Sequence, residues 1–183
     1  MANTETFTAW QRQIQNKNFL SPIGFKFNLS KAPKVDFFST AANIPSIDLG
    51  VAVQPSYLKD IAIPGDKLVY NDLSLSFFVD ENLENYLQIH NWMRGLGYPE
   101  SVQEFQDLLN EDPENKNDLL KQFSDGTLLI FNSSLLPVVK VNFKDLFPVS
   151  LSQVEFDSQS IEVNYVTATV TFKYTIYDIE SML

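Results

Sequence analysis

The 183-residue chain contains no cysteine and only one histidine. The first absence excludes disulfides, thiol nucleophiles and thiolate metal sites; the second excludes histidine-rich zinc sites. Basic residues are also scarce: 13 Lys and Arg face 23 Asp and Glu, a formal net charge of -10. They are spread singly, so no patch for gripping nucleic acid is apparent. No apolar run approaches the ~20 residues that span a bilayer. The N-terminus lacks the basic, then apolar, then small-residue order of a signal peptide, so a soluble, cytoplasmically folded protein is expected. What the chain has in abundance is aromatic: 15 Phe and 7 Tyr against 6 Gly and 9 Pro. Phe and Tyr favour pleated, half-buried surfaces. The length fits one domain able to bury most of its apolar surface, mainly β with a small helical component.

The most organised stretch runs from Leu58 to Gly97. Ile61 and Ile63 alternate with smaller neighbours, and Pro64-Gly65 has the composition of a type II turn. Next, Leu73, Leu75, Phe77 and Val79 point one way while Asp72, Ser74 and Ser76 point the other, the period of a half-buried strand. A helix over about 81–94 follows, with Asp80 as its cap, Glu81 and Glu84 in its first turn, Arg94 near its end and Gly95 as its stop. Leu83, Tyr86, Leu87, Ile89, His90 and Met93 form its apolar stripe.

The order of these parts resembles the tail-tube protein family of contractile-tailed bacteriophages. The residues that carry the resemblance are Ile63-Pro64-Gly65-Asp66, Leu73 to Asn82, and Trp92. Downstream, Phe143 to Pro148, Leu151, Val154, Phe156-Asp157 and the closing Val163 to Tyr177 are similar to the family's last strands. The resemblance covers roughly residues 20–97 and 126–178 and includes the ring paralogs that initiate or terminate the tube. It implies an antiparallel β-sandwich or barrel with a flanking helix. It also implies a hexameric ring, rings stacked into a tube, contacts with sheath and baseplate proteins, and a lumen through which DNA leaves the virion without specific binding.

Taken in order, residues 1–21 form an N-terminal arm ahead of a single β domain over 22–183. Phe7, Trp10 and Ile14 could form one amphipathic turn of it. Gly24 to Leu29 and Val35 to Ser39 are expected to form a hairpin around Lys31 to Lys34. Residues 41–55 read as a loop with a short strand at Asp48 to Val53. Residues 98–125 are an acidic insertion. Its 100–118 portion holds seven acids against Lys116 alone, with a short helix of Val102, Phe105, Leu108 and Leu109 capped by Ser101, and a further helical turn at Leu119, Leu120 and Phe123. Gly126 to Asn132 is apolar on both faces and so central. Val138 to Phe143 and Ser150 to Phe156 are strands separated by a turn at Phe147-Pro148, and Asp157 to Ser160 is a polar turn.

Val163 to Tyr177 reads as one long closing strand of roughly 45 Å at about 3.3 Å per residue. It needs a partner along its length, and if none is available inside the chain its edge invites another subunit. The polar face, Thr167, Thr169, Thr171, Lys173 and Thr175, is the expected inter-subunit or lumen contact. The hairpin from Leu58 to Val69, with Lys59, Asp60, Pro64, Gly65, Asp66 and Lys67, is the expected contact with the next ring. Net acidity suits a wall that must not hold phosphate.

No enzyme and no cofactor are expected. His90 lacks a nucleophile nearby and reads as a core or interface histidine. The acidic run Glu111 to Asp118 lacks the glycine and spacing of an EF-hand loop and reads as a solvated face. Asp80-Glu81 needs no reading beyond a helix cap, and Gly95-Leu96-Gly97 lacks the Lys-Ser/Thr of a phosphate loop. A reading of a different class stays open beside the tube: a monomeric β-sandwich binding module with the acidic loop as its site.

Overall fold

One strand belongs to two sheets at once. In a computed structural model that describes residues 19–110, 122–156 and 165–182, residues Pro137–Leu151 form a continuous 15-residue strand. The described elements are β1 (Phe25–Leu29), α1 (Pro33–Phe37), β2 (Ser39–Ala42), β3 (Ile47–Gln54), β4 (Ile61–Tyr70), β5 (Leu73–Phe78), α2 (Glu84–Gly97), α3 (Val102–Asn110), β6 (Ser124–Phe131), β7 (Pro137–Leu151), β8 (Thr167–Lys173) and β9 (Ile176–Ser181). The first part of β7 pairs with β6 and β9, and its last part pairs with β8. β6 continues to β1, and β8 continues to β5 and β2, all antiparallel. Asp145 adopts φ 57 between the two parts of β7, and the ladder to β8 shifts register between Pro148 and Ser150. Such irregularities let one strand turn the corner between packed sheets.

The core lies between those sheets. Leu73, Leu75 and Phe77 of β5 are buried, as their alternation predicts, and Ala168, Val170 and Phe172 of β8 are buried beside them. Phe27, Leu29, Val141, Phe143 and Leu146 come from the other sheet. α2 covers one flank with Ile89 and Trp92. The Trp92 ring centre lies 6.2 Å from that of Phe172, and its Nε1 donates to the Gln122 carbonyl at 3.0 Å. Each fully buried large apolar side chain contributes about 1.5–3 kcal/mol, so this cluster outweighs any polar contact nearby.

The β-sandwich with flanking helix, the central position of β6 and the short helix of the acidic insertion agree with the sequence. Several boundaries do not. Val35 to Ser39 is not the second strand of a hairpin. Pro33 opens α1, where its fixed φ suits a first helical turn, Val35 is buried, and β1 pairs with β6 instead. Pro64-Gly65 is not a turn but lies inside β4, and the chain reverses at 55–60. β4 pairs with β3 alone, a setting that tolerates proline.

Nor does Asp80 cap a helix at 81. Its Oδ1 accepts from the Glu81 amide at 2.8 Å, while α2 starts at Glu84 behind Leu83 at φ 57. Gly95 is no stop. It is buried where a Cβ would lie 2.8 Å from the Leu108 Cβ, so its lack of a side chain lets α3 approach α2. The helix ends at Gly97, and the Tyr98 amide returns to the Arg94 carbonyl at 2.7 Å. The stripe is also rotated: Asn85, Ile89, Trp92 and Gly95 are buried, while Leu87 and His90 are exposed.

The long closing strand is two strands, β8 and β9, broken at Tyr174 and Thr175. The chain's long strand is β7, which runs through Phe147-Pro148 without a turn and ends at Leu151. Phe123 packs against Phe147, ring centres 5.8 Å apart, and is not helical. The N-terminal helix at Phe7 to Ile14, the turn at Leu119 and Leu120, and the polar turn at Asp157 to Ser160 lie outside the described residues.

Candidate assembly surfaces

The β3–β4 hairpin forms a sheet of its own, apart from the body. Antiparallel partners share a face. The register pairs Ile47 with Tyr70, Leu49 with Leu68, Val51 with Pro64 and Val53 with Ala62, so one face is apolar from root to tip. The other face mixes Asp48, Ala52 and Gln54 with Val69, Ile63 and Ile61. None of these residues is buried: Val51 is 68% exposed and Val53 61%. At the tip, Tyr57 and Leu58 are exposed almost completely. A large apolar patch on an element with no core of its own marks a contact surface, and a two-stranded hairpin by itself is marginal in water.

The body holds the root of this hairpin. The Tyr177 hydroxyl donates to the Pro45 carbonyl at 2.9 Å, and the Tyr174 hydroxyl donates to the Asn71 carbonyl at 2.7 Å. Asn71 in turn donates its amide to the Ser46 carbonyl at 3.1 Å and its Nδ2 to Ser46 Oγ at 2.7 Å and Asp48 Oδ2 at 2.8 Å. Tyr70, Phe143, Tyr174 and Tyr177 cluster around the junction, edge to face except for the tilted Phe143–Tyr177 pair. Burial, then the neighbouring Tyr177, Asp72 and Tyr70, push the Tyr174 phenol up to about 12.

A second surface is the outer face of β5 and β8. Ser74 pairs with Thr171, Ser76 with Thr169 and Phe78 with Thr167, and the Ser76 and Thr169 hydroxyls are 2.9 Å apart. At its end Lys173 forms an ion pair with Asp72. The face is therefore hydroxyl-rich, with its lysine already neutralised.

These observations and one comparison decide the family. The profile described as phage tail tube protein matches residues 6–180. The chain belongs to the phage tail tube protein family. The fold of this tail tube protein is similar to that of a chain in the tube terminating cap of the anti-feeding prophage (TM-score 0.61, 17% identity, 96% of this chain and 99% of that one). It is similar too to a chain in the sheath/tube terminator of the extracellular contractile injection system PVC, extended state (0.56, 15%, 90% and 99%). A third likeness is to a chain in the PVC sheath-tube complex (0.53, 12%, 91% and 94%). No curated protein matches the chain.

The tail tube protein distributes the sequence-expected contact residues unevenly. Lys59 and Asp60 lie in the reversing segment at the hairpin tip, but Pro64, Gly65, Asp66 and Lys67 lie partway down β4. Thr167 and Lys173 are exposed, and Thr169 and Thr171 are half-buried on the same face. Thr175 leaves that face, because the alternation breaks before β9 and Tyr177 becomes the buried residue. The partner that the closing strand needs is available inside the chain: β8 is paired on both sides, by β5 and β7, so its edge is not open to another subunit. Within the body the described edge strands are β1 and β2, with β9 paired to β7 alone; β3 and β4 are each an edge of their own two-stranded sheet.

The sequence places a strand at Asp48 to Val53 and opens the contact hairpin at Leu58, and β3 bears out the strand; what it misses is Tyr57 at the tip and the pairing of Ile47, Leu49, Val51 and Val53 with β4 as one apolar face. Its signal was present, four β-branched or leucine residues at period two between Pro45 and Pro55.

His90, Tyr86, Met93, Arg94, Gly97, Pro99 and Leu151 surround an open hollow of about 400 Å³. Arg94 donates to Glu100 at 2.9 Å and to Glu104, and these hydrogen bonds hold its guanidinium above the ordinary range. The arrangement ties α2 to α3. Among the described residues no three His, Asp or Glu side chains group as a metal site, and no helix is long and apolar enough to cross a membrane.

Proposed function

We propose that this tail tube protein is a structural subunit of a contractile phage tail, that it closes hexameric rings, and that the rings stack into the conduit for DNA ejection. The observation that carries this reading is the hairpin: an arm anchored by a tyrosine cluster whose one face is apolar throughout and covered by none of the described residues. The arm is the contact with the adjoining ring, through its tip at Tyr57 to Asp60 and its apolar face. β1, β2 and β9, the edge strands of the body, supply the strands through which neighbours in a ring extend one another's ladders.

The hydroxyl face bearing Thr167, Thr169 and Thr171 faces the lumen in this reading. Hydroxyls, a lysine paired with Asp72 and a net charge of -10 give a wall that does not retain phosphate. The protein assembles in the host cytoplasm, joins sheath and baseplate proteins and ends in the virion. Nothing in this role calls for catalysis or a cofactor.

Negative-stain imaging of the purified chain over a range of concentrations tests the reading. Stacked rings of unlimited length identify the main tube subunit. Rings that never stack identify a tube initiator or terminator. A monomer at every concentration, which also remains single when mixed with tail and baseplate proteins, favours a monomeric binding module instead.

A further inference from the structure

Two glycines cross midway along the hairpin. Between the pairs Leu49–Leu68 and Val51–Pro64, β3 contributes Gly50 alone while β4 contributes Gly65, Asp66 and Lys67. Three residues facing one make a bulge with two in excess, and a bulge bends its strand and raises the local twist. Because the excess is even, the side-chain alternation is unchanged across it, and the apolar face stays on one side of the bend.

The crossing depends on Gly65. A Cβ there would lie 2.7 Å from the Gly50 carbonyl carbon and 3.2 Å from its Cα, and would overlap the carbonyl oxygen. The dependence is one-sided: a Cβ on Gly50 meets nothing nearer than the Lys67 carbonyl oxygen at 3.7 Å, an ordinary contact. Neither glycine has positive φ, so close backbone approach is the requirement and not an unusual conformation.

We propose that the Gly50–Gly65 crossing is a positioning device that sets the angle at which the distal hairpin meets a second copy of this chain in the adjoining ring. This rests on the reading of the hairpin as an inter-ring arm. From the crossing at Gly50 to Gln54 the distal segment spans about 13 Å at ~3.3 Å per residue. A change of about 20° in the bend, the size of the twist between adjacent strands, moves its far end by roughly 4–5 Å. That is one inter-strand spacing, enough to take the tip out of register with its contact. The body's core lies in other sheets, so altering the bend changes assembly and leaves the body's stability alone.

The test compares five full-length chains: wild type, Gly50→Ala, Gly65→Ala, a deletion of Asp66 and Lys67, and Leu58→Asp at the tip. Light scattering and negative stain give the concentration at which rings stack, and thermal unfolding reports the body. The deletion leaves one residue opposite Gly50, so the ladder straightens with its faces intact, and lost stacking there is lost aim and not lost folding. Gly50→Ala stacks as wild type does. Gly65→Ala and the deletion raise the stacking concentration by about tenfold or more with an unchanged melting midpoint. If the deletion variant stacks at the wild-type concentration while Leu58→Asp does not stack, the arm stands and the positioning role is overturned. If Leu58→Asp also stacks normally, the arm reading fails and the proposal falls with it; if wild-type rings never stack, the adjoining ring is not a second copy of this chain and the proposal is overturned.

Discussion

The Tyr177 hydroxyl reaches back 132 residues to hydrogen-bond the Pro45 carbonyl at 2.9 Å. The last strand of the body thereby holds the root of an arm that has no buried core of its own. Tyr177 is 9% exposed, so replacing it with phenylalanine leaves its ring contacts and strands the carbonyl. Tyr177→Phe should cost about 0.5–1.5 kcal/mol overall. Its distinctive effect is local: hydrogen exchange across 47–70 accelerates more than exchange in β5 and β8. Uniform acceleration would show that the bond serves the core and not the arm.

The corner between β5 and α2 yields a paired prediction. Asn85 is fully buried; its Oδ1 accepts from the amides of Asp80 at 3.2 Å and Tyr86 at 2.8 Å, and its Nδ2 donates to the Phe78 carbonyl at 2.7 Å. Asn85→Ala leaves those part-buried groups without this partner, and should cost about 2–4 kcal/mol, with each stranded group worth about 1–3. Asp80→Ala removes one exposed turn contact and should cost less than about 1 kcal/mol. Urea unfolding of both variants checks the order; a larger loss at Asp80 would restore it as the organising residue of the corner.

The same corner shows what the sequence could express. β5 and β8 were legible because one face of each is buried, and burial imposes a period of two on residue type. Asn85 was not: a buried amide that bonds three backbone groups looks, in sequence, like a polar residue on a solvated helix, while Asp80 has the right type and place for a cap. Pro64-Gly65 misled for a related reason. Turns and bulges both call for a residue without an amide hydrogen and one without a side chain, so composition cannot separate them. The sequence divides β7 at Phe147-Pro148, which has the composition of a turn, yet a strand that changes sheets carries its irregular backbone, as at Asp145, within it. The strand of β3 is legible at Asp48 to Val53, but the apolar face it shares with β4 is not, because none of the described residues covers it.

Tyr174 gives a pH dependence. Its phenol is raised to about 12 in the folded protein, chiefly by burial, against an ordinary value of 10.0. Below pH 10 both states hold the proton and the group is neutral to stability changes with pH. Between pH 10 and about 12 the unfolded chain releases the proton while the folded one keeps it, so stability falls as pH rises. The wild type should lose urea resistance over that window more steeply than Tyr174→Phe, with the two parallel below it. Parallel losses throughout would mean that another group carries the alkaline transition.

The last prediction separates what folds the chain from what assembles it. Val51 is 68% exposed at the middle of the apolar face, across from Pro64. A charge there touches no core residue, so Val51→Asp should change the stability of the isolated chain by no more than about 0.5 kcal/mol. In an assembly that covers the face, the same carboxylate must be desolvated with no cation opposite it on its own hairpin face. Its neighbours on that face are Leu49, Leu68, Pro64 and Val53. Val51→Asp chains should therefore melt as wild type does yet fail to form stacked rings in negative stain, whereas Gln54→Glu, on the mixed face, should assemble. If both variants stack, the apolar face is left open to water in the assembled tube and the contact lies elsewhere on the arm.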